Sequence, residues 1–349
     1  MDMRLIINQM AVLFILIAVG YIAGKTKMLA REGVNTLSKI VLNISTPCMI
    51  LNSVLGNTEN IAGGNIAYFM LLVLLAYIIF FLIAIPVGRI LGAAPKNSEF
   101  GIRNSELDST QQDSRHFYEN PDSSHPLTTG YSDLSVTGHS NSGLYASMIV
   151  FGNVGFMGFP VVNAIFGAES LFFAALLNVI FNLLLFSVGI ILISGKRGVI
   201  NYKLLLNATI IAAFISFFIV FTGFRAPKII ADAIGLVSGT TVPCAMLVIG
   251  STLSQIPVRE VFTKWQLYPA ALLKMVVVPI IIWLVFKQFV TDKLMLGVLT
   301  VLSGMPVAAV VAIIPIEYGG DDRTASGSVF LTTLLSAVTI PLIVYLLLM

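Results

Sequence analysis

The sequence predicts an all-helical protein that crosses a membrane repeatedly, and composition is the first indication. Hydrophobic residues make up 57% of the 349 residues, charged residues only 11%, and the mean hydropathy is +0.94. A soluble domain is about 45–50% apolar and about 25% charged, so these charges are too few to cover an aqueous surface. Two further observations, the long apolar segments and the likeness of the two halves, define the architecture.

Ten apolar segments have lengths that suit a membrane span, since a helix needs about 20 residues to cross a hydrocarbon core ~30 Å thick. The first segment is too long for a signal-peptide core and lacks a small-residue cleavage site, so we expect it to be retained. The predicted spans are 5–23, 36–55, 66–92, 143–166, 168–194, 203–222, 228–254, 264–288, 293–316 and 325–348.

The distribution of Lys and Arg predicts how these spans are oriented in the cell membrane. Thirteen of these cations fall in one set of connecting loops and five in the other set. Because loops rich in Lys and Arg stay on the cytoplasmic side, both termini are predicted to lie outside. The small net charge of +3 includes no basic block, so no nucleic-acid partner is expected.

Residues 93–142 interrupt the apolar pattern. They hold seven of the seventeen acidic residues and all three histidines. Low hydrophobicity and many Ser, Asn and Asp residues predict a disordered cytoplasmic loop. A regulatory or metal-binding loop built on His116, His125 and His139 is the alternative, but their spacing matches no metal site, and we expect no cofactor. The chain therefore divides into 1–92 (spans one to three), 93–142, 143–194 (spans four and five) and 195–349 (the second five spans).

The two halves of the chain contain similar short segments in the same order. The segment "STPCMIL" (45–51) in the second span matches "TVPCAML" (241–247) in the seventh. The segment "GFPVV" (158–162) in the fourth span matches "GMPVA" (304–308) in the ninth. Because five spans is an odd number, the second copy must enter the membrane from the opposite side, which gives a 5+5 inverted repeat. In such proteins the functional site lies near the midplane, where broken helices of the two halves meet.

Glycine and proline break the fourth and ninth spans, which we predict to cross each other as unwound segments. Glycine exposes backbone and proline lacks a donor, and lipid tolerates such backbone only inside protein or beside a watery cavity. A half-helix beginning at each proline would direct free N–H groups at the crossing, where an anion would bind. Close packing of helices through small residues is the alternative. The predicted binding residues of the two breaks are Asn153, Gly155, Gly158, Pro160, Ser303, Gly304 and Pro306.

Polar side chains within other spans complete the predicted site. Lys274 lies near the middle of the eighth span, where a lysine costs about 2.5–3.5 kcal/mol on insertion scales. It is predicted to be a counter-charge for an anion or to substitute for a coupling cation, with a structural contact to helix-end carbonyls as the alternative. Asn178 and Asn182 share one face of the fifth span and, among the amides within spans, are the better candidates for facing the crossing. Hydrogen bonding between helices is the alternative and the commoner role of such amides. Lys39, in the second span, is expected to extend to the membrane interface.

Three motifs stand out: "GNVGFMGFPVV" in the fourth span, "VPCAMLVIGSTLS" in the seventh, and "EYGGDDRTASGSVFLTTLLSAVTIPL" at 317–342. Together they resemble the auxin efflux carrier family, which includes bacterial malate permeases and the plant PIN carriers. The likeness covers the chain except 93–142 and implies a fold similar to bile-acid symporters and sodium–proton antiporters. It further implies a homodimer, a scaffold of spans one, two, six and seven, and a transport domain of spans three to five and eight to ten.

The resemblance also assigns a role to single positions. Members of the family have a substrate-contacting Asn at the motif position that Asn153 occupies. Plant members have a Gln after the second proline, where this chain has Val307 after Pro306. This difference argues against auxin itself as the substrate.

The predicted function is a secondary carrier that moves an organic anion, such as malate, across the lipid bilayer by alternating access of the elevator type. An auxin or indole-acid exporter and a sodium-coupled organic-acid symporter are alternatives, and coupling to protons or sodium stays open. An anion channel is the competitor from another class, although no ring of acidic or carbonyl-rich filter residues is evident. No histidine lies in any predicted span, which excludes a Ser–His dyad, so an intramembrane enzyme is not predicted.

Overall fold

The computed structural model describes residues 3–55, 63–93, 141–194, 208–256, 261, 264–318 and 321–348. Within these ranges the secondary structure consists of helices and one isolated pair of bridging residues. Nearly all of the predicted insert at 93–142 lies outside the described residues. The helices are α1 (Met3–Lys25), α2 (Arg31–Leu55), α3 (Gly63–Gly92), α4 (Ser142–Val150), α5 (Val154–Phe166), α6 (Glu169–Ile193), α7 (Ala208–Thr222), α8 (Lys228–Ser254), α9 (Leu267–Phe286), α10 (Lys293–Ser303), α11 (Ala309–Tyr318) and α12 (Asp322–Leu348).

Seven of the described helices are long and apolar enough to cross a membrane, namely α1, α2, α3, α6, α8, α9 and α12. Shorter apolar helices are α5, α7 and α10. The predicted fourth span corresponds to α4 and α5, and the predicted ninth to α10 and α11. For the described residues, an all-helical multi-pass membrane protein is therefore confirmed, whereas ten spans and an inverted repeat stay predictions.

Small residues bring α1 into close contact with α8. A Cβ atom added at Gly20 would lie 2.5 Å from the carbonyl oxygen of Leu247, so no larger residue fits there without a shift of backbone. In lipid, where apolar burial gives helices little reason to associate, close approach through small residues supplies the packing. The hydroxyl of Ser251 adds a polar contact by donating to the carbonyl oxygen of Leu29 over 2.9 Å. The α1–α8 pair is one tight unit, α2 packs against α7 and α8, and α3 packs along α4.

Three π-helical turns lie directly before a proline. A proline ring clashes with the carbonyl four residues earlier and donates no hydrogen bond to it, so a wider turn at that place relieves the clash. The pairs of turn and proline are Val41–Ser45 with Pro47, Val154–Gly158 with Pro160, and Leu273–Val277 with Pro279. One of these turns lies in the first broken helix, and the other two lie in α2 and α9.

Aromatic side chains fill the centre of the molecule beside the first break. Phe151, the residue after α4, is fully buried. Its ring stands edge to face with Phe181 of α6 at a centroid distance of 5.8 Å, and with Phe81 of α3 at 6.4 Å. These contacts fix the first break between α3 and α6.

Candidate functional site

The two broken helices meet through their unwound backbones. Gly152, in the break after α4, and Val307, in the break after α10, form an isolated antiparallel bridge. The N–H group of Asn153 donates to the carbonyl oxygen of Pro306 over 2.7 Å, and the N–H group of Ala308 donates to that of Phe151 over 3.0 Å. The breaks that the glycines and prolines predict are therefore present, and two backbone hydrogen bonds join them.

The helices resume at other residues than the prolines, which corrects the prediction that each half-helix begins there. The first resumes at Val154, where the side-chain oxygen of Asn153 accepts a hydrogen bond from the N–H group of Phe156 over 3.2 Å. The π turn that follows accommodates Pro160 inside a continuing helix. The second resumes at Ala309, after the segment that pairs with the first break. Capping and pairing, rather than proline alone, set where each half-helix begins.

Several N–H groups of the crossing are satisfied within the protein, which limits those that can bind a ligand. The N–H group of Val307 donates to Oγ1 of Thr332 on α12 over 3.0 Å. The N–H groups of Ala309 and Val310 belong to the first turn of α11, where no carbonyl of the same helix lies in reach. An anion beside α11 would therefore find two N–H donors and the positive end of the helix dipole.

A cavity of about 410 Å³ adjoins the crossing. Its wall comes from α2, the first break and α5, α6, α7, and the start of α11. The lining residues are Ser38, Lys39, Leu42, Asn43, Thr46, Asn153, Val154, Gly155, Phe156, Asn178, Phe181, Asn182, Leu185, Phe186, Thr209, Ala308, Ala309 and Val310. Among these lining side chains there is no carboxylate, so the cavity suits a neutral or anionic ligand.

Four side-chain amides define the polarity of this cavity. Asn153, Asn178 and Asn182 are buried, and Asn43 lies in the π turn of α2. The amide nitrogen of Asn182 donates to the carbonyl oxygen of Asn178 over 2.7 Å, which orients the Asn182 side chain along α6. The hydroxyl of Thr46 is buried in the same wall and has no hydrogen-bond partner among the described residues. These amides and this hydroxyl could donate to a carboxylate or accept from a hydroxyl group.

The structure brings together four of the residues that the sequence analysis selected: Asn153, Gly155, Asn178 and Asn182. The other selected residues do not line this cavity. A Cβ atom added at Gly158 would lie 2.8 Å from Cδ2 of Leu302, so this glycine serves helix contact. Pro160 is buried in the first turn of the α-helical part of α5.

The predicted binding residues of the second break make contacts within the protein. The hydroxyl of Ser303 donates to the carbonyl oxygen of Thr300 over 2.7 Å, within its own helix. A Cβ atom added at Gly304 would lie 3.3 Å from Cγ of Pro279. Pro306 contributes its carbonyl oxygen to the bond with the first break. These contacts are structural, and ligand binding by Ser303, Gly304 and Pro306 stays a prediction.

Lys274 lies on the other face of the crossing. Its side chain is 1% exposed, and Nζ lies over the ring of Phe80, 5.4 Å from the centroid. It lines a separate cavity of about 10 Å³ with Gly152 and Ser303. Gly152 lines the small cavity, Asn153 the large one and Val154 both, so Lys274 and the amide cluster line different cavities that meet at the first break. Lys274 is not among the residues that line the large cavity and would contact a ligand there.

The sequence analysis missed residues that α2 and α7 contribute to the cavity. The hydroxyl of Thr209 on α7 donates to the carbonyl oxygen of Leu42 over 3.1 Å, within the π turn of α2. Lys39 is exposed and lines the cavity rather than only reaching the membrane interface. The available signal was Pro47, because a proline inside a helix indicates disturbed hydrogen bonding one turn earlier.

A polar cluster at the ends of the predicted membrane spans joins three segments. Nζ of Lys264 lies 3.2 Å from Oδ2 of Asp321, and the amide of Asn141 donates to the same oxygen over 3.2 Å. Asp321 also caps α12 by accepting from the N–H group of Thr324 over 2.8 Å. Burial raises the pKa of Asp321, but the hydrogen bonds from Thr324 and the charge of Lys264 outweigh burial and hold this pKa below its usual range.

The fold and the cavity define a class: a multi-pass helical membrane protein with an amide-lined cavity beside two paired helix breaks. The chain belongs to the membrane transport protein family, whose sequence model matches residues 5–111 and 135–344. It is a transporter and not an enzyme. The match confirms the resemblance to the auxin efflux carrier family that the motifs indicate.

Curated relatives agree with this assignment. The chain is 25% identical over 338 residues to an "Uncharacterized transporter" of Methanocaldococcus jannaschii, covering 95% of both chains. It is 26% identical over 333 residues to an "Uncharacterized transporter" of Methanothermobacter thermautotrophicus, covering 94% of both. It is 24% identical over 208 residues to the "Putative malonate transporter" of Rhizobium meliloti, covering 56% of this chain and 64% of that protein.

Proposed function

We propose that this protein is a secondary carrier that moves a small organic anion, a carboxylate such as malate, across the cytoplasmic membrane by alternating access. The observation that carries the proposal is the cavity at the crossing, where buried amides and the first-turn N–H groups of α11 converge. Amide and N–H donors bind carboxylates, and the absence of carboxylates from the lining residues avoids repulsion. Asn153, Asn178 and Asn182 are the proposed substrate contacts.

The proposed movement is of the elevator type, in a molecule of ten spans arranged as an inverted repeat. The scaffold would consist of spans one, two, six and seven, which correspond to α1, α2, α7 and α8. The transport domain would contain the two broken helices. The cavity supports this division because α2 and α7 form one wall, whereas α5, α6 and α11 form the other. A substrate held at the crossing would then move with the transport domain.

The proposed orientation has both termini outside and the 93–142 insert in the cytoplasm. In this orientation α2 begins at the cytoplasmic side, and its first half contributes Lys39 and Asn43 to the cavity. The cavity would therefore open inward. A homodimer formed through the scaffold, surrounded by membrane lipid, is proposed from the family alone.

A dicarboxylate is the favoured kind of substrate. One relative carries the name of a malonate transporter, and this chain has Val307 where plant carriers of the family have a Gln. An indole acid is the alternative, since Phe156, Phe181 and Phe186 give the cavity an aromatic wall. Coupling to protons or to sodium remains open, and the uptake experiment includes both gradients.

The test is uptake of radiolabelled malate, malonate and indole-3-acetate into proteoliposomes, with and without imposed proton and sodium gradients. A carrier gives saturable uptake and counterflow, in which unlabelled substrate inside accelerates the entry of label. An anion channel conducts without counterflow, and that result would overturn the proposal.

Substitution of one amide tests the location of the site. Asn153→Asp keeps an oxygen that can cap α5, but it removes the amide donor and adds a negative charge. We expect it to abolish anion uptake, and also to lower the melting temperature because the new carboxylate is buried. Asn163→Ala is the matched control, because Asn163 is on the same helix and does not line the cavity. Equal uptake by Asn153→Asp and wild type would refute the assignment.

A further inference from the structure

Lys39 lies where a charge can act on the contents of the cavity. It is exposed, one helical turn before Asn43, and it lines the cavity together with Ser38. No other lining side chain carries a formal charge. Among the described residues, no hydrogen bond or ion pair engages the Lys39 ammonium group. The ammonium group is therefore available to a ligand.

Two polar regions stand apart within the cavity. One lies at the crossing, with Asn153 and the first turn of α11; the other lies at Lys39. Lys39 lies seven positions before Thr46 on α2, which is roughly 10 Å at a rise of 1.5 Å per residue, and Thr46 lines the same cavity as Asn153. The flexible lysine side chain shortens the gap that a ligand must bridge. Apolar side chains, including Leu42 and Leu185, also line this cavity.

We propose that Lys39 binds the second anionic group of a dianion whose first carboxylate lies at the crossing. This inference rests on the proposed function and narrows its substrate class to small dicarboxylates. A monocarboxylate places its single charge at the amides and leaves the ammonium group of Lys39 unused. Lys39 is thus a specificity-determining residue, which adds affinity for the dianion and not for the monoanion.

The test compares malonate, succinate and malate with their monomethyl esters, which have the same carbon skeleton and one negative charge fewer. Uptake into proteoliposomes gives KM and maximal rate for wild type and for Lys39→Gln. We expect the KM of the diacids to rise about tenfold and that of the esters to change less than twofold. Lys39→Arg keeps the charge and should retain the preference for diacids.

Arg31→Gln is the matched control, since Arg31 is an exposed cation on the same helix that does not line the cavity. It should leave the KM of diacids and of esters unchanged. An equal rise for diacids and esters in Lys39→Gln, no rise at all, or the same rise in Arg31→Gln would overturn the inference. A wild-type protein that takes up monoesters or indole acids but no diacid would also overturn it, while leaving an organic-anion carrier intact.

The proposed function can fail in a distinguishable way. If wild-type proteoliposomes take up none of the acids and none of the esters, the carrier assignment fails together with the role of Lys39. Thermal unfolding of each purified variant separates a local effect on binding from loss of fold. Because Lys39 is exposed, we expect its variants to melt within about 1 °C of wild type.

Discussion

The backbone N–H group of Asn153 donates a hydrogen bond of 2.7 Å to the carbonyl oxygen of Pro306. This bond joins the two broken helices at the same residue whose side chain lines the large cavity. The amide of Asn153 is therefore positioned by a contact between distant parts of the chain. Any shift of one break relative to the other would move the amide with it.

Gly152→Ala should lower the thermal stability, whereas Gly155→Ala should not. A Cβ atom at position 152 would lie 3.2 Å from Nζ of Lys274 and 3.3 Å from the carbonyl oxygen of Met305, but at position 155 it would meet nothing within 4 Å. Overpacking of this kind costs about 1–3 kcal/mol. Melting temperatures of both purified variants in one detergent measure the difference. Equal temperatures would contradict the crowding at Gly152.

Thr332→Val should destabilise the protein by about 1–3 kcal/mol, because the buried N–H group of Val307 loses its acceptor. Thr332→Ser should restore most of the loss. Thr333→Val is the matched control, since the hydroxyl of Thr333 is buried on the same helix without a partner among the described residues. We expect that control to be neutral or stabilising. Denaturant or thermal unfolding measures all three, and equal losses in the two valine variants would disprove the contact.

Acidification should weaken the cluster around Asp321. Because the pKa of Asp321 lies below the ordinary value of about 3.9, its contribution to stability is complete above that value. The contribution is lost as the pH falls through the lower pKa of the folded state. Asp321→Asn should remove this part of the acid sensitivity, and Asp322→Asn, at an exposed neighbour, should not. Unfolding curves between neutral pH and about pH 3 test this, and unchanged sensitivity in Asp321→Asn would contradict it.

Lys274→Met should raise the melting temperature and impair uptake. Nζ makes no ion pair among the described residues, so a buried polar group is exchanged for an apolar chain of similar length. A lower rate in a more stable protein would indicate that the charge is retained for transport and not for folding. Lys264→Met, which breaks the ion pair with Asp321, should instead lower the melting temperature. If Lys274→Met melts below wild type, Lys274 has the structural role that the sequence analysis kept as an alternative.

The sequence predicted the helical class and the helix breaks because both depend on local chemistry. Runs of about 20 apolar residues indicate membrane spans, and glycine together with proline indicates a place where a helix is unstable. The π turn before Pro160 follows from the same local rule, and it explains why the helix continues through that proline.

Positions relative to the crossing could not be predicted in this way. Whether Lys274 faces the large cavity depends on how α9 packs against both breaks. The sequence of a single helix does not show that packing. Lys39 was expected at the membrane interface because it lies near one end of the second span, where lysine side chains commonly extend to the headgroups. Asn178 and Asn182 were predicted to face the crossing because their spacing alone puts them on one side of α6.

The glycine contact between α1 and α8 has a consequence for biosynthesis. Gly20 leaves the ribosome before Leu247, which follows it by 227 residues in the sequence. Until then α1 stays in the bilayer with its small-residue face against lipid or a temporary partner. The α1–α8 pair can therefore form only after α8 has been synthesised. We expect chains truncated before α8 to be degraded by membrane proteases.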